Sequence, residues 1–203
     1  MTSTELPDAA APVDQDLLDR YLPVYDVAIT EHVVVEADAA STYRAARDLD
    51  FLTVRTPLLS ASFFVRGLPA RLRGRPVESP PELRLAAGGP ALPGWLVLGE
   101  VPGREVAFGA VGRFWKPDIE WRDVPREHFA AFADPGWGKI GCHFLVRPDG
   151  PGRSVLSYEC RTATTDAASR QQMARYWWAI RPFVAHILRA TIRTIQAEAQ
   201  GTG

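Results

Sequence analysis

TDAASRQQMARYWWAIRPFVAHILRATIRTIQAEAQ, residues 165–200, reads as one long helix. Asp166 is a good N-cap, and Pro182 is the only breaker inside the run. Met173, Tyr176, Trp177, Ile180, Val184, Ile187, Leu188, Thr191 and Ile195 recur at spacings of three and four, which makes one wide apolar face. Arg170, Arg175, Arg189, Arg193 and Gln196 occupy the other side. At 1.5 Å per residue such a helix is roughly 50 Å long, and it needs a large apolar surface to lie on. Pro182 removes one backbone hydrogen bond and frees the Trp178 carbonyl, so a kink is expected there.

The hairpin before it supplies that surface. Ile140, Cys142, Phe144 and Val146 alternate with small or polar residues, and so do Leu156, Tyr158, Cys160 and Thr162. Folding the chain about Gly150 to Gly152 sets Val146 opposite Leu156, Phe144 opposite Tyr158 and Cys142 opposite Cys160. The other face then pairs His143 with Glu159 and Gly141 with Arg161. That face is either a surface ion network or, if curvature turns it inward, a group able to orient a carbonyl or hydroxyl.

Upstream, residues 1–13 read as a disordered tail, and 14–203 as a single domain. Asp14 to Leu22 predicts a short helix, and Tyr25 to Glu36 a first strand. Asp38 caps a helix through Asp48, and a second helix is predicted over Pro57 to Arg66, ended by Gly67 and Pro69. Glu82 to Ala86 is a possible short strand. Trp95 to Val101 and Glu105 to Gly112 are strands joined at Pro102-Gly103. The long connection 113–138 carries Phe114, Trp115, Trp121, Phe129, Phe132 and Trp137, with a helix predicted from Pro125 to Ala133. A loop of this length and composition is read as a lid.

The fold class is therefore α+β, a helix-grip arrangement. A curved antiparallel sheet of about six strands wraps around a long C-terminal helix, with two short helices after the first strand. The space between sheet and helix is a small-molecule site.

With 46% hydrophobic residues the chain can bury a sizeable core, and a net charge of −1 gives no bias toward nucleic acid. No run has the ~18 apolar residues a membrane span needs, and the first twenty residues do not read as a secretory signal; a cytoplasmic protein is expected. His32, His128, His143 and His186 lack metal-ligand spacing, and neither HExxH nor paired CxxC occurs, so no metal and no cofactor are expected. Cys142 and Cys160 read as two buried reduced thiols rather than a bridge.

The sequence resembles the START-like, Bet v 1-like superfamily (SRPBCC), which includes polyketide cyclase/dehydrases and lipid-transport proteins, and within it an uncharacterised bacterial branch. The resemblance rests on Val35–Glu36–Ala37–Asp38, Asp48–Leu49–Asp50–Phe51, Val111–Gly112–Arg113–Phe114–Trp115 and Phe129–Ala130–Ala131–Phe132. It continues in Pro135–Gly136–Trp137–Gly138–Lys139–Ile140, Glu159–Cys160–Arg161, Tyr176–Trp177 and Ile180–Arg181–Pro182–Phe183. It covers roughly residues 24–198. It implies the helix-grip fold and a hydrophobic ligand: a lipid, a polyketide or an aromatic metabolite. Cyclase/dehydratase chemistry or non-catalytic carriage are both within the superfamily's range.

The expected cavity lining is Phe108, Arg113, Trp115, Cys142, Phe144, Tyr158, Cys160, Met173, Tyr176, Trp177, Ile180 and Val184. Tyr158 is singled out because a buried phenol needs a partner, and Arg113 as a candidate for an anionic or enol oxygen. No catalytic acid/base pair stands out. A different reading is a partner-binding module, with Phe63, Phe64 and Leu68 among Arg66, Arg71 and Arg73 as a contact patch.

Overall fold

The computed structural model of the protein describes residues 15–51, 54 and 94–201. The expected tail, the helix over 57–66 with its contact patch and the strand at 82–86 lie outside these residues. In chain order the elements are α1 (Leu17–Tyr21), β1 (Val27–Val35), α2 (Ala39–Arg47), β2 (Trp95–Val101) and β3 (Glu105–Arg113). They continue with β4 (Glu120–Arg122), α3 (Arg126–Phe129), β5 (Gly138–Pro148), β6 (Ser154–Thr164) and α4 (Ala167–Gly201).

The strands form one antiparallel sheet in the order β1–β6–β5–β3–β2, with β4 also paired to β3. The first strand thus lies beside the last, and α4 packs against the concave face, giving the helix-grip architecture. The β5–β6 register follows the alternation: Cys142 faces Cys160, Phe144 faces Tyr158 and His143 faces Glu159.

Asp166 starts α4 as its spacing predicts, accepting the Ser169 amide at 2.9 Å. It also accepts the Gly136 amide at 2.5 Å, which ties the connection before β5 to the helix start. α4 runs through Pro182 as helix. Three contacts hold it along β1, the sheet edge: Arg170–Asp26 at 2.7 Å, Arg189–Glu31 at 2.9 Å, and Gln196 Nε2 donating to the Val34 carbonyl at 2.8 Å. In α2, Asp38 caps the Ser41 amide at 2.8 Å, and Tyr43 reaches Glu100 of β2 at 2.5 Å.

The short helix of the long connection differs from expectation. Pro125 caps α3 with an extended ψ of 144° instead of occupying its first turn, and the helix stops at Phe129. Beyond it Lys139 donates to the Ala130 carbonyl at 2.9 Å, and the Phe132 amide turns back to the Phe129 carbonyl.

The sheet is covered on both faces. On the concave side lie Val106, Phe108, Phe144, Leu156, Tyr158, Leu188, Ile192 and Ile195. On the convex side a second core joins Leu98, Ala107, Val111 and Phe129 with Leu17, Tyr21, Phe132 and Trp137. Two facing glycines permit this close approach. A Cβ on Gly141 would lie 3.1 Å from Leu18, and one on Gly109 would lie 3.0 Å from Phe129.

Candidate functional site

Because α4 is fastened along β1, it leaves a gap toward the opposite side of the sheet. A cleft of about 180 Å³ opens there. One wall is the α4 face of Met173, Tyr176, Trp177, Ile180 and Val184. The other is Trp95 of β2, Trp121 of β4, and Phe114 and Ile119 between β3 and β4; Ile140, Cys160 and Thr162 make the floor.

Each wall has a local cause. Gly112 and Gly138 face each other across β3 and β5, and Phe114 lies over both: added Cβ atoms would meet its ring at 2.8 and 3.2 Å. Trp121 meets that ring edge-on, with centroids 5.8 Å apart and planes at 64°, and packs on Trp95 at 6.4 Å. Among the described residues no charged side chain lines the cleft. Its polar groups are the thiol of Cys160, the hydroxyls of Thr162 and Tyr176, and the indole N–H groups.

Of the expected lining, Cys160, Met173, Tyr176, Trp177, Ile180 and Val184 come together along this cleft. Phe108, Cys142, Phe144 and Tyr158 do not. They fill the closed part of the concave core, where Phe144 and Tyr158 have ring centroids 4.5 Å apart and Phe108 lies 5.6 Å from Phe144. Tyr158 lies beside the buried Cys142 thiol, outside the cleft lining. Burial, then the neighbouring thiols, pushes the Tyr158 pKa well above its usual value. Burial and Cys160 do the same to Cys142, which makes it a poor nucleophile.

Arg113 is a correction. It lies on the convex side, its Nε donating to the Gly136 carbonyl at 2.9 Å, its Nη1 paired with Glu120 at 2.9 Å, and its guanidinium over the Trp137 ring at 4.5 Å. Odd positions of β3 point away from α4, and Arg113 follows that parity. Trp115 packs against Gly138 outside the cleft lining. The long connection is therefore not a lid with all its aromatics turned inward. It wraps the sheet and divides them, Phe114 and Trp121 to the cleft and Phe129, Phe132 and Trp137 to the convex core. Trp95, Ile119, Trp121, Ile140, Thr162 and Phe114 are cleft residues the sequence reading missed. The parity that puts Ile140 and Thr162 beside Cys142 and Cys160 was a usable signal for those two.

The His143, Glu159 and Arg161 face is neither solvent nor cavity. α1 closes over it. Its polar chain runs from the Leu17 amide to Glu105 (2.9 Å), to His143 (2.5 Å), to Glu159 (3.6 Å), to Arg161 (2.5 Å) and to Asp19 (2.6 Å). His143 is 2% exposed. Burial alone would lower its pKa, but the carboxyl groups of Glu105 and Glu159 outweigh it and hold the pKa above the ordinary value. His143, opposed by burial and helped by Arg161, holds Glu159 down at about 2. Asp16 adds pairs to Arg104 at 2.9 Å and Arg147 at 3.1 Å. Among the described residues no group of three or more His, Cys, Asp or Glu could hold a metal, and no helix is long and apolar enough to cross a membrane.

No family model matches the chain, and no curated protein matches it significantly. Among solved structures, a protein from Rhizobium loti is 13% identical with a TM-score of 0.39, covering 83% of this chain and 96% of its own. A protein from Arthrobacter aurescens is 12% identical with a TM-score of 0.42, covering 94% and 91%. Norcoclaurine synthase from Thalictrum flavum, in complex with dopamine and hydroxybenzaldehyde, is 11% identical with a TM-score of 0.35, covering 99% of each chain. Similarity at this level assigns no activity.

Proposed function

We propose that the protein binds one small, uncharged, apolar or aromatic molecule in the cleft between α4 and the sheet. The observation that carries this reading is the lining: three tryptophans, a phenylalanine, a tyrosine and a methionine, with no charged side chain among the described residues. Such walls reward apolar area and leave an anion uncompensated.

Size narrows the class. A dry apolar cavity of about 150 Å³ accommodates benzene, whereas sites for drug-sized ligands span about 300–1,000 Å³. At about 180 Å³ the cleft fits a single-ring molecule as it stands. A folded polyketide or an acyl lipid, the ligands the START-like resemblance suggests, would require it to widen. Among the described residues the lining has no carboxyl or imidazole to act as acid or base, which favours a carrier or sensor over a cyclase or dehydratase. The two free buried cysteines fit a cytoplasmic setting.

Thermal shift and calorimetry with indole and substituted benzenes, beside a long-chain fatty acid, test the reading. The single-ring probes should raise the melting temperature, and Ile180→Arg, which puts a charge in the cleft, should abolish the shift. No shift with any single-ring probe, or an undiminished shift in Ile180→Arg, would overturn it.

A further inference from the structure

We infer that the outer face of α4 around Trp178 is a docking surface for an anionic lipid bilayer. Trp178 is 84% exposed, whereas the other five tryptophans are all at least partly covered. It lies on the opposite side of the helix from the cleft residues Tyr176 and Ile180, as a rotation of 100° per residue requires. Gln171, Arg175, Arg181 and Pro182 share that outward face, all exposed. Arg175 and Arg181 flank the indole at three residues on either side.

The charge on this helix is one-sided. Between Asp166 and Glu198 it contains five arginines and no acidic residue. Arg170 and Arg189 are taken by Asp26 and Glu31. Arg175, Arg181 and Arg193 have no ion pair among the described residues. An exposed indole between two exposed guanidinium groups matches the headgroup layer, where the ring's apolar body sinks, its N–H stays wet and the arginines meet phosphate. A second copy of this chain fits poorly, since a twofold contact through Trp178 would set arginine against arginine. Single-stranded nucleic acid is tracked by a basic groove, and this face is one convex helix.

Cosedimentation of the full chain with phosphatidylcholine vesicles, with and without phosphatidylglycerol, is the test. The protein should pellet with the anionic vesicles only, and less as salt rises. Each near-surface arginine contributes roughly fivefold, so Arg175→Gln with Arg181→Gln should weaken partitioning roughly 25-fold at low salt. Trp178→Ala should also release the protein, and all these exposed variants should melt like the parent. Absence of binding, equal binding to zwitterionic vesicles, or full binding by both variants would overturn the inference. Capture by nucleic acid or an acidic protein without vesicle binding would overturn it as well.

Discussion

Nδ1 of His143 lies 2.5 Å from Oε1 of Glu105, and the same carboxyl accepts the Leu17 amide at 2.9 Å. One contact between neighbouring strands thus anchors the start of α1 over the convex face. Glu105→Ala would leave the imidazole Nδ1 and the Leu17 amide unpaired in a closed site. Removing one partner of a buried pair costs about 3–5 kcal/mol, and denaturant unfolding should show a loss of that order. A loss below about 1 kcal/mol would mean that Leu18 and Leu22 hold α1 unaided.

The same network sets a pH optimum. The His143 pKa is raised in the folded protein, so the stability it adds is complete below its ordinary 6.5 and is lost as pH rises through the folded value. Glu159 runs the other way: lowered from 4.5 to about 2, it contributes above 4.5 and loses that contribution as pH falls toward 2. Melting temperature should therefore peak between these limits, and His143→Gln should flatten the alkaline limb. An unchanged alkaline limb in that variant would remove His143 from the account.

Gly109→Ala tests the crowding under α3. The new methyl would lie 2.6 Å from the Ile140 carbonyl oxygen and 3.0 Å from both Leu98 and Phe129. Overpacking of this kind costs about 1–3 kcal/mol, readable as a lowered denaturation midpoint. Gly103→Ala has open space around its Cβ but a φ of 78°, so any loss there reports backbone strain instead.

Trp177 and Tyr158 separate cleft from core. Trp177 lines the cleft; Tyr158 lies against Phe144 and Cys142 beneath it. In calorimetric titrations with indole, Trp177→Ala should weaken binding at least tenfold, about 1.4 kcal/mol, while Tyr158→Phe should leave it unchanged. The opposite pattern would place the site in the closed core.

Cys142 and Cys160 face each other as free, buried thiols. A thiol reagent should react slowly with the native protein and find two thiols in denaturant without reductant. Fewer than two would reveal a bridge.

What could be read from the residues alone was local. Alternation between Ile140 and Thr162 predicted which residues pair, because a pleated strand turns successive side chains to opposite faces. The three- and four-residue spacing after Asp166 predicted the helix and its apolar face. Neither pattern says what covers the second face of the sheet. That depended on contacts far apart in sequence: Leu17 to Glu105 across 88 positions and Asp19 to Arg161 across 142. They brought α1 over His143, Glu159 and Arg161 and closed that face. The fastening of α4 to β1 through Asp26, Glu31 and Val34 likewise decided where the cleft opens and which aromatics line it. Periodicity records the short-range geometry of one element, whereas a cleft is the space several elements fail to fill, and only their packing defines it.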